Sequence, residues 1–228
     1  MSQGAGQLIA LECVDEVMLE AQAQQLYRWL HGRGVAIELT GEPTYGPVGA
    51  QIRLARQGRL QVDPASLALW ETADRMDHLG QENGILSWLA AGRHVLCARY
   101  LLFSYACHLD HVELDWLQRI NARCRRPDLT LFLDVDPAGG EGGERVRMER
   151  KGGKGEEAER LRRNYLAVIA DARIRDALRG QPDMSEGEGA GRCGPADQYG
   201  SIVIVDAGAP ADQAFEACRR QVASLLEL

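Results

Sequence analysis

The chain has 228 residues, of which 45% are hydrophobic and 26% are charged, so it is long enough to bury a full core as one domain. Asp and Glu number 33 against 26 Lys and Arg, and the net charge of −7 excludes a general electrostatic surface for nucleic acid or anionic membrane. No apolar run approaches the roughly 20 residues that span a bilayer, and the first residues resemble neither a signal nor an anchor. Six scattered cysteines without a C-x-x-C pair indicate a reduced chain, for which we expect a cytoplasmic location.

Short apolar runs alternate with longer helical patterns along the whole chain, which is typical of a parallel α/β sheet. The apolar runs predict strands at 8–11, 35–39, 95–97, 129–135 and 202–205. A stripe of leucine and alanine from Leu19 to Leu30, at helical spacing, predicts the first helix. Further helices are predicted at 49–57, at 64–91 in one or two pieces, and at 113–123, 156–179 and 211–228. We therefore expect one domain, residues 1–228, with a five-stranded parallel sheet and helices on both faces.

Two glycine-rich segments interrupt this alternation. Residues 137–155 combine glycine with mixed charge, including Arg145, Arg147 and Arg150, and this composition is compatible with either a basic lid or a solvated loop. Residues 180–200 are glycine-rich, acidic and poor in large apolar side chains, which predicts a flexible surface insertion.

Several short motifs stand where the predicted strands end, which is where parallel α/β sheets bind their ligands. They are the turn at 12–22, the triplet at 41–43, the segment at 72–78, the triplet at 98–100 and the run at 127–135. In this order and spacing they resemble the thymidylate kinase family of nucleoside monophosphate kinases. The resemblance implies a P-loop α/β fold, commonly dimeric through helix faces, that transfers the terminal phosphoryl group of ATP to dTMP.

The sequence departs from this family where the phosphates of ATP would bind. The pattern E-G-x-D-G-S-G-K-T-T-Q lies over residues 12–22, but Leu19 replaces its lysine and Glu20 its first threonine. Ala98 replaces the aspartate of the family's D-R-[YHF] triplet. The pattern's glycines are replaced by Cys13, Glu16 and Met18. Because a phosphate loop needs glycine amides, a lysine and a hydroxyl for Mg²⁺, we expect no catalytic residue, no cofactor and no metal here.

The residues that match the family lie on its acceptor side, and they are Asp15, Glu42, Pro43, Arg75, Arg99 and Tyr100. Arg75 and Arg99 align with arginines that hold the monophosphate in the family, and two guanidinium groups make a good anion clamp. The alternative is structural, because arginines at strand and helix ends also pair with Asp74, Asp77 or Glu42.

Three local features add to this comparison. Asp15 is predicted to cap the first helix, with Glu16 in its first turn, so that the helix end satisfies itself instead of binding an anion. The aromatic residue that stacks on thymine in the family aligns with Glu71, although Trp70 is only one residue away. The family's R-E-P triplet begins here with Gly41 and so lacks its arginine.

These observations favour a catalytically degenerate protein that acts as a scaffold, regulator or partner-binding subunit, with a homodimer as the expected assembly. One alternative is an active dTMP or nucleoside monophosphate kinase with a rebuilt donor site, which needs a cation from residues 145–154 as well as ATP and Mg²⁺. Another alternative is a sensor that binds a nucleoside monophosphate through Arg75 and Arg99 without turnover. No nucleic acid or membrane partner is expected.

Overall fold

A computed structural model describes residues 5–136, 154–179 and 200–228. Strands and helices alternate along these residues as the apolar pattern predicts. The strands are β1 (Leu8–Cys13), β2 (Ile37–Gly41), β3 (His94–Ala98), β4 (Leu129–Asp134) and β5 (Ser201–Asp206). The helices are α1 (Glu16–Gly32), α2 (Pro47–Arg56), α3 (Pro64–Gly80), α4 (Ile85–Ala90), α5 (Leu101–His108), α6 (Leu114–Ile120), α7 (Lys154–Arg179) and α8 (Ala211–Leu225).

All five strands form one sheet in the order β2-β3-β1-β4-β5, and every neighbouring pair is parallel. β1 is buried along its whole length, because strands on both sides and helices on both faces cover it. The predicted fold class, a P-loop kinase-like α/β sheet, is therefore confirmed. The parallel arrangement brings the ends of β1, β2 and β3 together at one edge, with Leu11 and Gly41 both beside Ala98.

Local chemistry explains where the helices begin and end. Asp15 Oδ1 accepts a hydrogen bond from the Met18 amide at 2.9 Å and caps α1, as predicted. The helical segment predicted at 64–91 is divided into α3 and α4. The division falls at Gly84, where a Cβ atom would overlap the carbonyl oxygen of His78, so the turn between the helices needs glycine.

Two further expectations concern the environment of the chain. Within the described residues, no helix is long and apolar enough to cross a membrane. The five cysteines that the structure describes are free thiols, and the reduced state of the chain stays a prediction. The cytoplasmic location itself stays a prediction.

Candidate functional site

A pocket lies where β2 and β3 end, enclosed by α2, α3 and α5. It holds about 230 Å³ of space, counted with its opening to solvent. Its lining combines charged side chains with apolar and aromatic ones. The lining residues are Glu42, Pro43, Ile52, Arg56, Glu71, Asp74, Arg75, Arg99, Tyr100 and Phe103. Glu42, Pro43, Arg75, Arg99 and Tyr100, all predicted acceptor-side residues, are thus brought together.

Arg75 is a fully engaged member of this pocket. Its Nε donates to Glu42 Oε2 at 2.8 Å, its Nη1 to Asn121 Oδ1 at 2.6 Å and its Nη2 to the Tyr100 carbonyl at 3.3 Å. Burial opposes its charge, but the attraction of Glu42 and other neighbours raises the pKa of Arg75 above its ordinary value. The structural alternative, an Arg75–Glu42 ion pair, is therefore present, and all three guanidinium nitrogens have protein partners.

The loop after β2 is held in place by side chains of α3. Glu42 Oε1 lies 3.4 Å from Nδ1 of His78, and the peptide bond between Glu42 and Pro43 is cis. Asp74 accepts hydrogen bonds from the Thr44 amide at 2.7 Å and from the Thr44 hydroxyl at 2.6 Å. These contacts fix the position of Glu42 at the pocket mouth, so this carboxylate orients Arg75.

Arg99 connects the pocket to the beginning of α1. Its backbone has φ of 62°, a left-handed conformation that non-glycine residues adopt at a cost and that is common at functional sites. Its Nη1 donates to Glu16 Oε1 at 3.0 Å, and its guanidinium carbon lies 4.8 Å from the Phe103 ring centroid. Its Nε atom is shielded from solvent and has no hydrogen-bond partner in the described part of the chain.

A buried polar cluster forms the inner wall of the pocket, and the sequence pattern did not reveal it. Arg56 Nη2 donates to Glu71 Oε1 at 2.6 Å, and the Ser104 hydroxyl donates to Glu71 Oε2 at 2.7 Å. His108 Nε2 lies 3.2 Å from Glu71 Oε1. Burial would raise the pKa of Glu71, but Arg56 and His108 hold it well below its ordinary value, so the carboxylate is charged. Of the two residues that the sequence comparison left open, Glu71 lines the pocket.

A second buried carboxylate, Glu12, lies at the beginning of α5. It accepts hydrogen bonds from the amides of Tyr100 at 2.9 Å and Phe103 at 3.3 Å, and from the Tyr165 hydroxyl at 3.1 Å. Burial raises its pKa to about 7, and the hydrogen bonds and Arg99 oppose this increase only in part. Glu12 is therefore poised to change charge near neutral pH.

The residues that replace the family's phosphate loop have ordinary structural roles. Leu19 is buried in the core under β1, and Glu20 is exposed on α1. Asp15 places its carboxylate at the N-terminus of α1, where it accepts from the Met18 amide and does not line the pocket. Ala98 ends β3.

Some predicted features lie outside the described residues. They include Arg145, Arg147 and Arg150 of the proposed lid, most of segment 137–155, and the insertion at 180–200 apart from Gly200. Over the residues that are described, no three His, Cys, Asp or Glu side chains form a group that could hold a metal ion.

Comparison with known proteins places this geometry in a family. The family model described as Thymidylate kinase matches residues 20–175. A probable thymidylate kinase of Pyrococcus abyssi is 30% identical over 197 residues, which cover 79% of this chain and 93% of that protein. A thymidylate kinase of Leifsonia xyli subsp. xyli is 36% identical over 178 residues, which cover 73% of this chain and 83% of that protein. A probable thymidylate kinase of Pyrococcus horikoshii is 33% identical over 136 residues, and the match spans 65% of that protein.

These matches contradict the hypothesis of a catalytically degenerate scaffold. That hypothesis rested on Leu19, Glu20 and Ala98, whereas the matching relatives are named as kinases and nothing in the matches marks this chain as degenerate. The alternative of an active kinase agrees with them better. By the extent of both the family match and these alignments, the chain belongs to the thymidylate kinase family.

Proposed function

We propose that the chain is a nucleoside monophosphate kinase that transfers a phosphoryl group from ATP to dTMP. The proposal takes its substrate from the names of the relatives. The observation that carries it is the pocket at the ends of β2 and β3, where Arg56 and Arg99 present guanidinium nitrogens without protein partners among the described residues. Such donors suit an anionic ligand such as a phosphate monoester.

On the acceptor side, the pocket would position the monophosphate toward α1. Arg99 contacts both the pocket and Glu16 in the first turn of α1, so it lies between the acceptor and the helix that follows β1. Arg75 would act through Glu42 and the Tyr100 carbonyl, which it holds in place. Phosphoryl transfer depends mainly on such positioning and on charge stabilisation, with little covalent chemistry from the protein.

On the donor side, the residues after β1 do not fit a phosphate cradle of the P-loop type. The buried Leu19 stands where a lysine would reach the phosphates, and Glu20 stands where a hydroxyl would meet Mg²⁺. We therefore derive no step through ATP or Mg²⁺ at α1. The proposal requires donor contacts from elsewhere, and the arginines at 145, 147 and 150 supply candidates of suitable charge.

A second candidate function is binding of a nucleoside monophosphate without transfer. The buried Leu19 favours it, because no lysine stands at this position to reach a triphosphate. The two functions share the acceptor pocket and differ in turnover.

An acceptor-specific assay tests the proposal. With ATP and Mg²⁺, the protein should convert dTMP to dTDP faster than it converts dUMP, dCMP, dAMP or dGMP to their diphosphates, with the products separated by chromatography. Arg99→Ala should lose at least about a hundredfold in kcat/KM, because it removes a charged group from the reacting phosphate. Arg123→Ala makes the same change at an exposed position that does not line the pocket, and it is the matched control. Binding of dTMP without product would favour the second candidate.

We also propose that the protein forms a homodimer through α3. Leu69 and Met76, seven residues apart on one face of this helix, are 47% and 40% exposed. Large apolar side chains at helical spacing on an exposed face suit helix packing between subunits. Light scattering should give twice the chain mass for the wild type and one chain mass for Met76→Glu, and a monomeric wild type at micromolar concentration would refute the proposal.

A further inference from the structure

Arg56, at the end of α2, has more hydrogen-bonding capacity than the protein uses. Its Nη2 is committed to Glu71 Oε1 at 2.6 Å. Its Nε and Nη1 are shielded from solvent and have no partner in the described residues, although 21% of the side chain as a whole remains exposed. A charged donor that is shielded from water and left without an acceptor is costly, so its presence beside a pocket indicates a ligand.

A second arginine of the same pocket also has an unmatched donor. Arg56 and Arg99 both lie against Phe103, with guanidinium carbons 4.3 and 4.8 Å from its ring centroid. Both line the same pocket, and Arg99 Nε is also without a partner among the described residues. Arg75, in contrast, donates from all three of its nitrogens to protein acceptors. The free donors of this pocket thus come from Arg56 and Arg99.

The carboxylates around the pocket already have partners. Glu42 accepts from Arg75, Asp74 accepts from Thr44, and Glu71 accepts from Arg56 and from Ser104. What the pocket lacks is therefore a set of acceptor oxygens that carry negative charge. A phosphate monoester supplies three such oxygens, and each of them can accept a charge-assisted hydrogen bond from one guanidinium N–H.

We propose that Arg56 binds the phosphate of the acceptor nucleotide together with Arg99. The identity of that nucleotide rests on the proposed kinase function. Glu71 is a positioning residue in this arrangement. It holds Nη2 of Arg56 and leaves Nε and Nη1 without a partner among the described residues. Arg75 maintains the pocket wall through Glu42 and does not contribute a free donor.

Titration calorimetry with dTMP, thymidine and inorganic phosphate tests this role. Arg56→Lys keeps the positive charge beside Glu71 but loses the Nε and Nη1 donors, and Arg59→Lys makes the same change at an exposed position just after α2. Arg56→Lys should weaken dTMP binding at least about tenfold, abolish competition by inorganic phosphate, and leave thymidine binding unchanged. Arg59→Lys should bind all three ligands like the wild type.

A second variant is expected to change the affinity for dTMP in the opposite direction. Its result can be interpreted even if Arg56→Lys does not fold. Glu71→Gln keeps an acceptor oxygen for Arg56 but removes a negative charge from the pocket wall. It should bind dTMP several-fold more tightly than the wild type, with thymidine unchanged, because repulsion of the phosphate is reduced. Weaker dTMP binding by a folded Glu71→Gln variant would contradict a phosphate beside this cluster.

The outcomes separate this inference from the proposed function. If the wild type binds dTMP and Arg56→Lys binds it equally well, or loses thymidine to the same extent, the role of Arg56 is refuted while the kinase proposal stands. If the wild type binds inorganic phosphate through Arg56 but does not bind dTMP, the phosphate site stands and the proposed acceptor is wrong. If the wild type binds neither ligand, both proposals are overturned.

Discussion

Glu12 should make the stability of this protein fall as the pH rises toward neutrality. Its carboxyl is completely buried, and burial raises its pKa from the ordinary 4.5 to about 7. Between these two values the folded protein keeps a proton that the unfolded chain releases. The free energy of unfolding therefore decreases by about 1.4 kcal/mol per pH unit from Glu12 alone. Across the window the loss amounts to about 3 kcal/mol, and it stays constant at higher pH.

Glu12→Gln isolates this contribution. The amide oxygen of glutamine still accepts from the amides of Tyr100 and Phe103, and its nitrogen still faces the Tyr165 hydroxyl, but the side chain no longer titrates. Urea unfolding followed by circular dichroism, at pH values from 5 to 8, gives the free energies of both proteins. The stability of the variant relative to the wild type should increase by about 2 to 3 kcal/mol over that range, because part of the window lies below pH 5.

The control is Glu20→Gln, which makes the same chemical change at an exposed position on α1. Its stability should follow the wild type across the whole pH range. If the curves of Glu12→Gln and wild type are parallel, Glu12 does not hold its proton to neutral pH. A difference that shrinks with increasing pH would reverse the sign and refute the reasoning from burial.

Three further substitutions test individual contacts by chemical denaturation. Asp15→Ala should lower the free energy of unfolding by about 1 kcal/mol through loss of the α1 cap, whereas Asp15→Asn should retain most of it. Glu71→Ala should cost about 3 to 5 kcal/mol because it strands the charge of Arg56, and Arg56→Leu combined with Glu71→Leu should recover much of this loss. Gly41→Ala should cost about 1 to 3 kcal/mol, since its Cβ would lie 2.8 Å from the carbonyl oxygen of Ala98. Equal stability of wild type and variant would contradict the corresponding contact.

The fold could be predicted from the sequence because its signals are local. Apolar runs such as the one at the start of β1 mark buried strands wherever they occur, and Asp15 marks a helix start within three residues of the amide that it caps. Gly84 separates α3 from α4 through a close backbone approach, which periodicity alone does not reveal. For this reason the segment at 64–91 was predicted as one or two pieces.

The inner wall of the pocket could not be predicted, because its contacts join distant parts of the chain. Arg56 belongs to no motif, and its partner Glu71 lies on the next helix. Glu12 lies 153 residues before Tyr165 in the chain and accepts a hydrogen bond from its hydroxyl. The pKa of Glu12 is raised by burial that only the folded sheet creates. The comparison of motifs identified Arg75 and Arg99 but did not distinguish them. Only the hydrogen bonds show that Arg75 is committed to the protein and that Arg99 retains a free donor.

The most direct test of the account is transfer of labelled phosphate. The full chain is incubated with dTMP, Mg²⁺ and ATP labelled in its γ-phosphate, and the label in dTDP is followed with time. We predict transfer at roughly 1 to 100 s⁻¹, the range that is usual for kinases, and we expect Arg99→Ala to lose this transfer. If a folded preparation binds dTMP but places no label in dTDP, the proposed kinase function is contradicted.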